Sequence, residues 1–246
     1  MRITVATSTF NSADTIETVA ASIRSQTRQQ DIEWIVVDGG STDGTVDKLR
    51  TLDRVDRWLS EPDAGVYDAL NKAIRMSSGE IFGVLHSDDF FADSTVLADV
   101  LAAFEAYSKI DAVYGDLKYV SADDTTRTWR YWRAGEYSSS ALKAGWMPPH
   151  PAFFVRTQVA LDMGGYDLRY KIASDYDFLV RFFTRGDRAL YVERLLTCMR
   201  RGGASNKSLA NIATKMYEDY RIARTHRLGG LRTVAGKNLR KLHQLI

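Results

Sequence analysis

The chain has 246 residues, of which 45% are hydrophobic and 26% charged, with a formal net charge of +2. That length can bury one substantial core and is short for two full domains, and the composition excludes disordered and collagen-like classes. Cys198 is the only cysteine, which excludes an internal disulfide and suits a reducing compartment, so a cytoplasmic location is expected.

Met1 to Val5 enters a strand pattern at once, so no secretory leader is expected, and no apolar run approaches the roughly 20 residues that span a bilayer. Arg2 to Ser8 is β-branched and predicts the first strand; Asn11, Ser12 and Asp14 offer cap chemistry for a helix to about Gln26. Ile32 to Val37 predicts a buried strand that ends at Asp38-Gly39-Gly40-Ser41-Thr42-Asp43-Gly44, with Ser41 or Thr42 capping a helix to about Leu52. A short strand at Arg57 to Ser60 leads through Glu61-Pro62-Asp63-Ala64-Gly65 into a helix from about Val66 to Met76. The apolar run Ile81, Phe82, Val84, Leu85 then stops at Asp88 and Asp89, which places two carboxylates at a strand's exposed end. Adjacent carboxylates repel, and the usual compensation is a hard divalent cation that bridges to nucleotide phosphates; a helix N-cap is the alternative. A helix from about Ser94 to Tyr107 follows.

Four strand-then-helix units predict a parallel sheet with helices on its faces, and ligands of such sheets bind outside the carboxyl ends of the strands. Thr7, Thr9 and Asn11, then Asp38, then Asp63, then Asp88 and Asp89 all fall on that rim. The second half differs. Ala112 to Val120 and Thr126 to Trp132 alternate like an antiparallel pair, with Ala122-Asp123-Asp124 as the turn. Residues 134 to 151 read as irregular, and three of the chain's four prolines surround His150, which fixes that histidine on a rigid, non-helical segment either as a ligand or as a structural hydrogen-bond partner. Tyr170 to Thr184 has helical spacing, with Asp175 and Asp177 near its start, where the helix dipole favours a carboxylate. Ala189 to Met199 is strand-like, and Arg200 to Asn206 reads as a loop.

The ordered set T-S-T-F-N at 7–11, V-V-D-G-G-S-T-D-G-T at 36–45, S-E-P-D-A-G-V-Y-D-A-L-N-K-A at 60–73, H-S-D-D at 86–89, H-P-A-F-F at 150–154, G-G-Y-D at 164–167, S-D-Y-D at 174–177 and G-G-A-S-N at 202–206 resembles family 2 glycosyltransferases, over about 200 residues. These are inverting enzymes with the GT-A fold that use nucleotide-sugar donors. The resemblance implies an α/β fold with a Rossmann-like, mostly parallel central sheet flanked by helices, a small antiparallel extension and a C-terminal helical tail. It divides the chain into a catalytic domain at 1–206, with a nucleotide-binding half to about 110 and an acceptor-binding half beyond, and a basic tail at 207–246. It also implies that Thr7, Thr9 and Asn11 lie along the nucleotide, that Asp38 bonds the base, and that Asp63, Asn71 and Lys72 line the base and phosphate region. Asp88 would contact ribose or metal, and Asp89 would coordinate Mg2+ or Mn2+. His150 would face the diphosphate or its metal, and Arg200 or Arg201 would aid the leaving group. Asp175 would be the catalytic base, with Asp177 its nearest rival. Two positions depart from the family pattern: His86 stands where relatives have the first aspartate of D-x-D-D, and Ser174 replaces the glutamate that precedes the base.

The implied reaction moves a sugar from a UDP- or GDP-linked donor to a glycan or lipid-linked acceptor in cell-surface polysaccharide or glycolipid assembly. A non-catalytic nucleotide- or glycan-binding scaffold of the same fold is the alternative. A nucleotidyltransferase should open with a glycine-rich loop, which Thr7 to Asn11 lacks, and no G-x-G-x-x-G supports a dinucleotide oxidoreductase. Residues 199–246 carry 11 Lys and Arg against Glu218 and Asp219. This basic tail reads as a solvated helix face, as a peripheral membrane attachment, or as a segment that packs on the domain or forms a homodimer contact. Nucleic acid is not expected, because an Asp-rich site repels phosphate.

Overall fold

A computed structural model describes residues 1–201, 209–242 and 244; the G-G-A-S-N stretch at 202–206 lies outside the described residues. In chain order the elements are β1 (Ile3–Thr9), α1 (Ile16–Arg24), β2 (Ile32–Asp38), α2 (Thr45–Thr51), β3 (Arg57–Ser60), α3 (Val66–Met76), β4 (Ile81–Val84), β5 (Phe90–Phe91) and α4 (Val96–Ala106). Then come β6 (Ala112–Val120), β7 (Thr128–Trp132), α5 (Ser139–Lys143), β8 (Phe153–Arg156), α6 (Thr157–Asp162), α7 (Ser174–Arg185), β9 (Ala189–Arg200), α8 (Leu209–Thr225) and α9 (Leu231–Leu242).

The strands form one sheet in the order β3-β2-β1-β4-β8-β6-β9-β5, with β7 added to β6. The β3-β2-β1-β4 segment is parallel, as its strand-then-helix sequence predicts. Residues on β1 and β2 divide between the two faces: Ile3, Val5, Trp34 and Val36 pack with α1 and α4, whereas Ala6, Ile35 and Val37 pack with α3 and α7. Apolar side chains on both faces of a strand require cover on both, and each large side chain fully buried contributes about 1.5–3 kcal/mol.

Beyond β4 the sheet turns mixed. β8, which the proline-rich stretch before it hides from a sequence reading, lies antiparallel between β4 and β6. β6 pairs in parallel with β9 along most of its length and antiparallel with β7 at its end. β7 starts at Thr128 rather than Thr126, because Thr126 N and Oγ1 both donate to Asp124 Oδ1 in the turn. Within the stretch expected to be irregular, Ser138 caps the short α5 by accepting from Ala141 N at 3.1 Å.

The basic tail is built into the domain. Ile222, Ala223 and Leu228 join the core on the α7 side, and α9 is anchored by a buried ion pair between Lys237 and Asp219 at 2.7 Å. A methyl group on Gly145 would meet Lys237 N at 2.2 Å, and one on Gly236 would meet Ala144 O at 2.3 Å, so α9 seats directly on the turn after α5. Glu218 and Asp219, the tail's two acids, are both buried. The exposed face of α8 and α9 therefore carries cations and apolar side chains, and no acid.

Candidate active site

The loops at the carboxyl ends of β1, β2 and β3 are stitched to one another. Asn11, at a positive φ of 48°, donates its N–H to Ser41 Oγ at 2.7 Å and accepts from Thr42 N at 2.9 Å. Ser12 N donates to Thr45 Oγ1, and Ala13 N to Asp43 Oδ2. Asp38 Oδ2 accepts from Gly40 N, Ser41 N and Ser60 Oγ, and its Oδ1 accepts a short bond from Ser41 Oγ. Asp63 accepts from Gly65 N at 2.8 Å, and its carboxylate lies where a side chain on Gly39 would meet it at 2.9 Å.

Three expected donor contacts are instead committed within the protein. Thr7 is 0% exposed; its hydroxyl donates to Leu85 O and accepts from Trp34 Nε1. Asp38 is also 0% exposed, and its carboxylate holds its own loop as described. Asn71 clamps α3 to the G-G-Y-D segment, donating to Tyr166 O at 2.8 Å and accepting from Tyr166 N at 2.7 Å. These residues have the polar chemistry that a ligand would need, and the fold uses it first because a buried polar group without a partner is costly. Lys72 is likewise held, by Glu61 at 2.8 Å and Asp68 at 3.3 Å.

Asp88 and Asp89 lie at the turn between β4 and β5. The pairing of Phe90 with Cys198 brings Asp89 against the end of β9, where Arg200 N donates to Asp89 Oδ1 at 3.2 Å. Asp89 is fully buried, and its Oδ2 has no hydrogen-bond partner among the described residues. Burial, reinforced by the neighbouring charge of Asp88, pushes its carboxyl well above the usual range. Arg200 Nε and Thr9 Oγ1 are also buried without a partner among the described residues. An orphaned carboxylate oxygen beside a second carboxylate is the donor set of a hard divalent cation, which at nucleotide sites takes one or two protein carboxylates and fills its sphere with phosphate oxygens and water. The residues present thus fit Mg2+ or Mn2+.

His150 does not join them. Among the described residues no three metal-ligating side chains come together, and His150 Nε2 is hydrogen-bonded to Tyr166 Oη at 2.7 Å. Its ring is 6% exposed, and burial pushes its pKa down to about 4, so it is neutral at pH 7. His86 lies 6.5 Å away, ring to ring, with its own pKa lowered by burial. Arg201 stacks on Trp129 at 4.0 Å and so turns toward β7.

Asp175 occupies the first turn of α7, partly exposed. Its Oδ1 lies 3.1 Å from Tyr67 Oη and accepts from Tyr176 N at 2.8 Å, while no hydrogen bond among the described residues engages Oδ2. Burial opposes its ionisation, yet His150, which takes a proton only in acid, together with Lys215, Lys237 and the Tyr176 N–H, outweighs burial and holds the carboxyl below the usual range. Asp177, two residues on, is only 2% exposed and is bound by Arg181 at 2.7 Å and His226 at 3.2 Å. Of the two carboxylates, Asp175 is the one with an oxygen that no hydrogen bond among the described residues engages.

Sequence reasoning missed the residue that positions this turn. Glu218 of α8 accepts from Lys171 N, Ile172 N and Ala173 N at 2.8–2.9 Å. With those N–H groups bound to a carboxylate, the helix expected from Tyr170 begins at Ser174. The available signal was an isolated acid pair in a basic segment. Tyr67 was a second omission, within a motif whose other members drew attention. A Glu218→Ala variant leaves three backbone donors without an acceptor and is expected to lose about 3–5 kcal/mol in urea denaturation, with Glu218→Gln losing less.

The model of "Glycosyl transferase family 2" matches residues 4–163. An uncharacterised glycosyltransferase of Mycobacterium tuberculosis is 33% identical over 181 residues, covering 73% of this chain and 68% of the relative. A glycosyltransferase named for PGL/p-HBAD biosynthesis in Mycobacterium bovis is 32% identical over 180 residues, covering 72% and 67%. Among solved structures, a fragment of Staphylococcus aureus TarS in complex with UDP-GlcNAc superposes with a TM-score of 0.71 at 17% identity, over 96% of this chain and 69% of that one. A Pyrobaculum calidifontis mannosyltransferase in complex with GDP-Man and Mn2+ gives 0.67 at 19% identity, over 97% and 73%. The chain spans 41% of the longer TarS chain. The structural likenesses share the fold.

Proposed function

The chain belongs to glycosyltransferase family 2, and from that membership we propose that it moves a sugar from a nucleoside-diphosphate donor, UDP- or GDP-linked, to an acceptor hydroxyl with inversion at the anomeric carbon. The observation that carries the reading is Asp175: a carboxylate at a helix start, ionised at neutral pH, with one oxygen that no hydrogen bond among the described residues engages. Asp175 Oδ2 takes the proton as the acceptor O–H bond breaks. The acceptor oxygen then bonds to the anomeric carbon, and the bond to the donor phosphate breaks with its electron pair leaving on the diphosphate. Tyr67 and Tyr176 N–H fix the carboxylate's rotation, and Glu218 fixes the turn that carries it.

Asp89 and Asp88 would hold Mg2+ or Mn2+, which supplies charge neutralisation for the departing diphosphate. Asn11, Asp63 and Lys72 border the rim where the nucleotide would lie, and Arg200 places its positive charge beside Asp89. Thr9, with its unpaired buried hydroxyl, belongs to the same rim. Thr7, Asp38 and Asn71 shape these loops from behind. His150, neutral and bonded to Tyr166, supports the site without a cationic charge.

Titration calorimetry with UDP and GDP, each with Mn2+, with Mg2+ and with a chelator, tests the donor assignment. One nucleotide should bind with metal and fail with chelator; folded protein that binds neither would return the reading to a non-catalytic scaffold.

The names of the relatives support an acceptor in glycolipid or polysaccharide assembly, glycan or lipid-linked. A peripheral membrane contact is supported by α8 and α9, which expose Ile212, Met216, Leu231 and Leu239 beside Arg221, Arg224 and Arg232. No helix among the described residues is long and apolar enough to cross a membrane. Flotation with phosphatidylglycerol vesicles should fall when Leu231 and Leu239 are changed to Ser; undiminished flotation excludes this face, and a dimer in sedimentation equilibrium would assign it to a second copy.

A further inference from the structure

A cleft between β7, the turn after α5 and α9 is lined by Arg130, Trp132, Arg133, Lys237, Arg240 and Gln244 together with small and apolar neighbours, and no Asp or Glu lines it. Its floor is Arg130, 9% exposed. The guanidinium lies over the rings of Tyr119 at 5.1 Å and Trp132 at 4.9 Å. Among the described residues its side-chain acceptor is a neutral one, the amide oxygen of Gln244, 2.9 Å from Nε. No carboxylate among the described residues pairs with it.

Two other buried charges, Lys237 and Asp177, differ in this respect. Lys237 has Asp219 at 2.7 Å, and Asp177 has Arg181 at 2.7 Å. An arginine cannot shed its proton to relieve burial, so a buried guanidinium without a counterion calls for an anion from outside. Two further cations stand at the rim. Among the described residues Arg133 pairs with the distant, exposed Glu193 at 3.8 Å, a pair that solvent screens, and Arg240 donates weakly to Ala144 O at 3.4 Å.

We propose that this cleft is a second binding site, for a phosphate group, with Arg130 as the buried anchor and Arg133 and Arg240 closing on it from the rim. The planar fork of a guanidinium matches two oxygens of a phosphate, and the amide oxygen of Gln244 occupies the position that one of them takes. The phosphate comes either from a lipid headgroup, since the exposed apolar ridge of α9 adjoins Arg240, or from a soluble phosphate ester. None of the residues lining the cleft is one assigned to the donor or metal, so the proposal goes beyond the donor reading.

The test is calorimetric titration of inorganic phosphate into wild type, Arg130→Met, and the double variant Arg133→Gln, Arg240→Gln, against chloride at matched ionic strength. Wild type should bind phosphate, Arg130→Met should bind about tenfold or more weakly, and the double variant should also be weakened. Nucleotide binding should be equal in all three, which separates a failure here from a failure of the donor assignment. No phosphate binding in wild type, or equal binding in all three, overturns the proposal. Should Arg130→Met fail to fold by circular dichroism, the double variant decides alone. A flotation arm with phosphatidylcholine vesicles, with and without phosphatidic acid, assigns the source. Flotation that needs phosphatidic acid and is lost in the variants identifies a lipid headgroup, whereas lost phosphate binding with unchanged flotation identifies a soluble ester.

Discussion

Replacing Asp175 with Asn is expected to lower the transfer rate about 10²- to 10⁴-fold while nucleotide binding stays intact. The amide keeps an oxygen for Tyr67 and the Tyr176 N–H, so the turn survives and only proton acceptance is lost. The pH profile gives a second reading of the same group. Its carboxyl lies below the usual range, burial being outweighed by His150, Lys215, Lys237 and the Tyr176 N–H. Activity should therefore be flat with respect to this group through neutral pH and fall only as pH drops through the lowered value. Stability follows the same sign: a depressed folded pKa contributes stability above the unfolded value, lost as pH falls through the folded one. Unchanged turnover in Asp175→Asn would remove the assignment, and Asp177, closed off by Arg181 and His226, could not inherit it.

Asp89→Asn should have opposite effects on stability and binding. In the free protein, burial and Asp88 raise the Asp89 carboxyl well above the usual range. A raised folded pKa contributes stability below the unfolded value, and this is lost as pH rises through the folded one, so at neutral pH the charge works against folding. Removing it should raise the melting temperature without ligand. With metal and the cognate nucleotide at about 100 times the dissociation constant, wild type should gain roughly 2.7 kcal/mol, or about 5–11 °C for a domain of this size, and the variant should gain little. Differential scanning calorimetry measures both. A variant that is less stable without ligand, and stabilised normally with it, would show Asp89 to be structural.

The parallel half of the fold was legible because each strand is an apolar run that ends at polar or glycine-rich residues, a local signal that β1 to β4 carry in full. β8 was not legible. Its four residues follow Pro149-His150-Pro151-Ala152, and its place between β4 and β6 depends on partners 73–75 and 39–43 residues away. The site divides along the same line. Asp88, Asp89 and Asp175 could be picked out by motif and by their place at strand and helix ends. Whether a polar side chain is free or already bonded depends on tertiary partners, so Thr7, committed to Trp34 and Leu85, and Asn71, committed to Tyr166, looked in sequence just like residues available to a ligand. Glu218 reaches the base across the fold from α8, and spacing along the chain carries no trace of that contact.

The position of β8 has a consequence for motion. Because it hydrogen-bonds β4 on one side and β6 on the other, the half that carries Asp89 and the half that carries Asp175 belong to one continuous ladder, with no linker between them to act as a hinge. Closing one half over a substrate by rigid-body rotation would require breaking main-chain hydrogen bonds in mid-sheet. Any closure that accompanies turnover must therefore come from the loops at the rim, on the timescale of loop ordering, and relaxation measurements should find exchange there while the described strands stay silent.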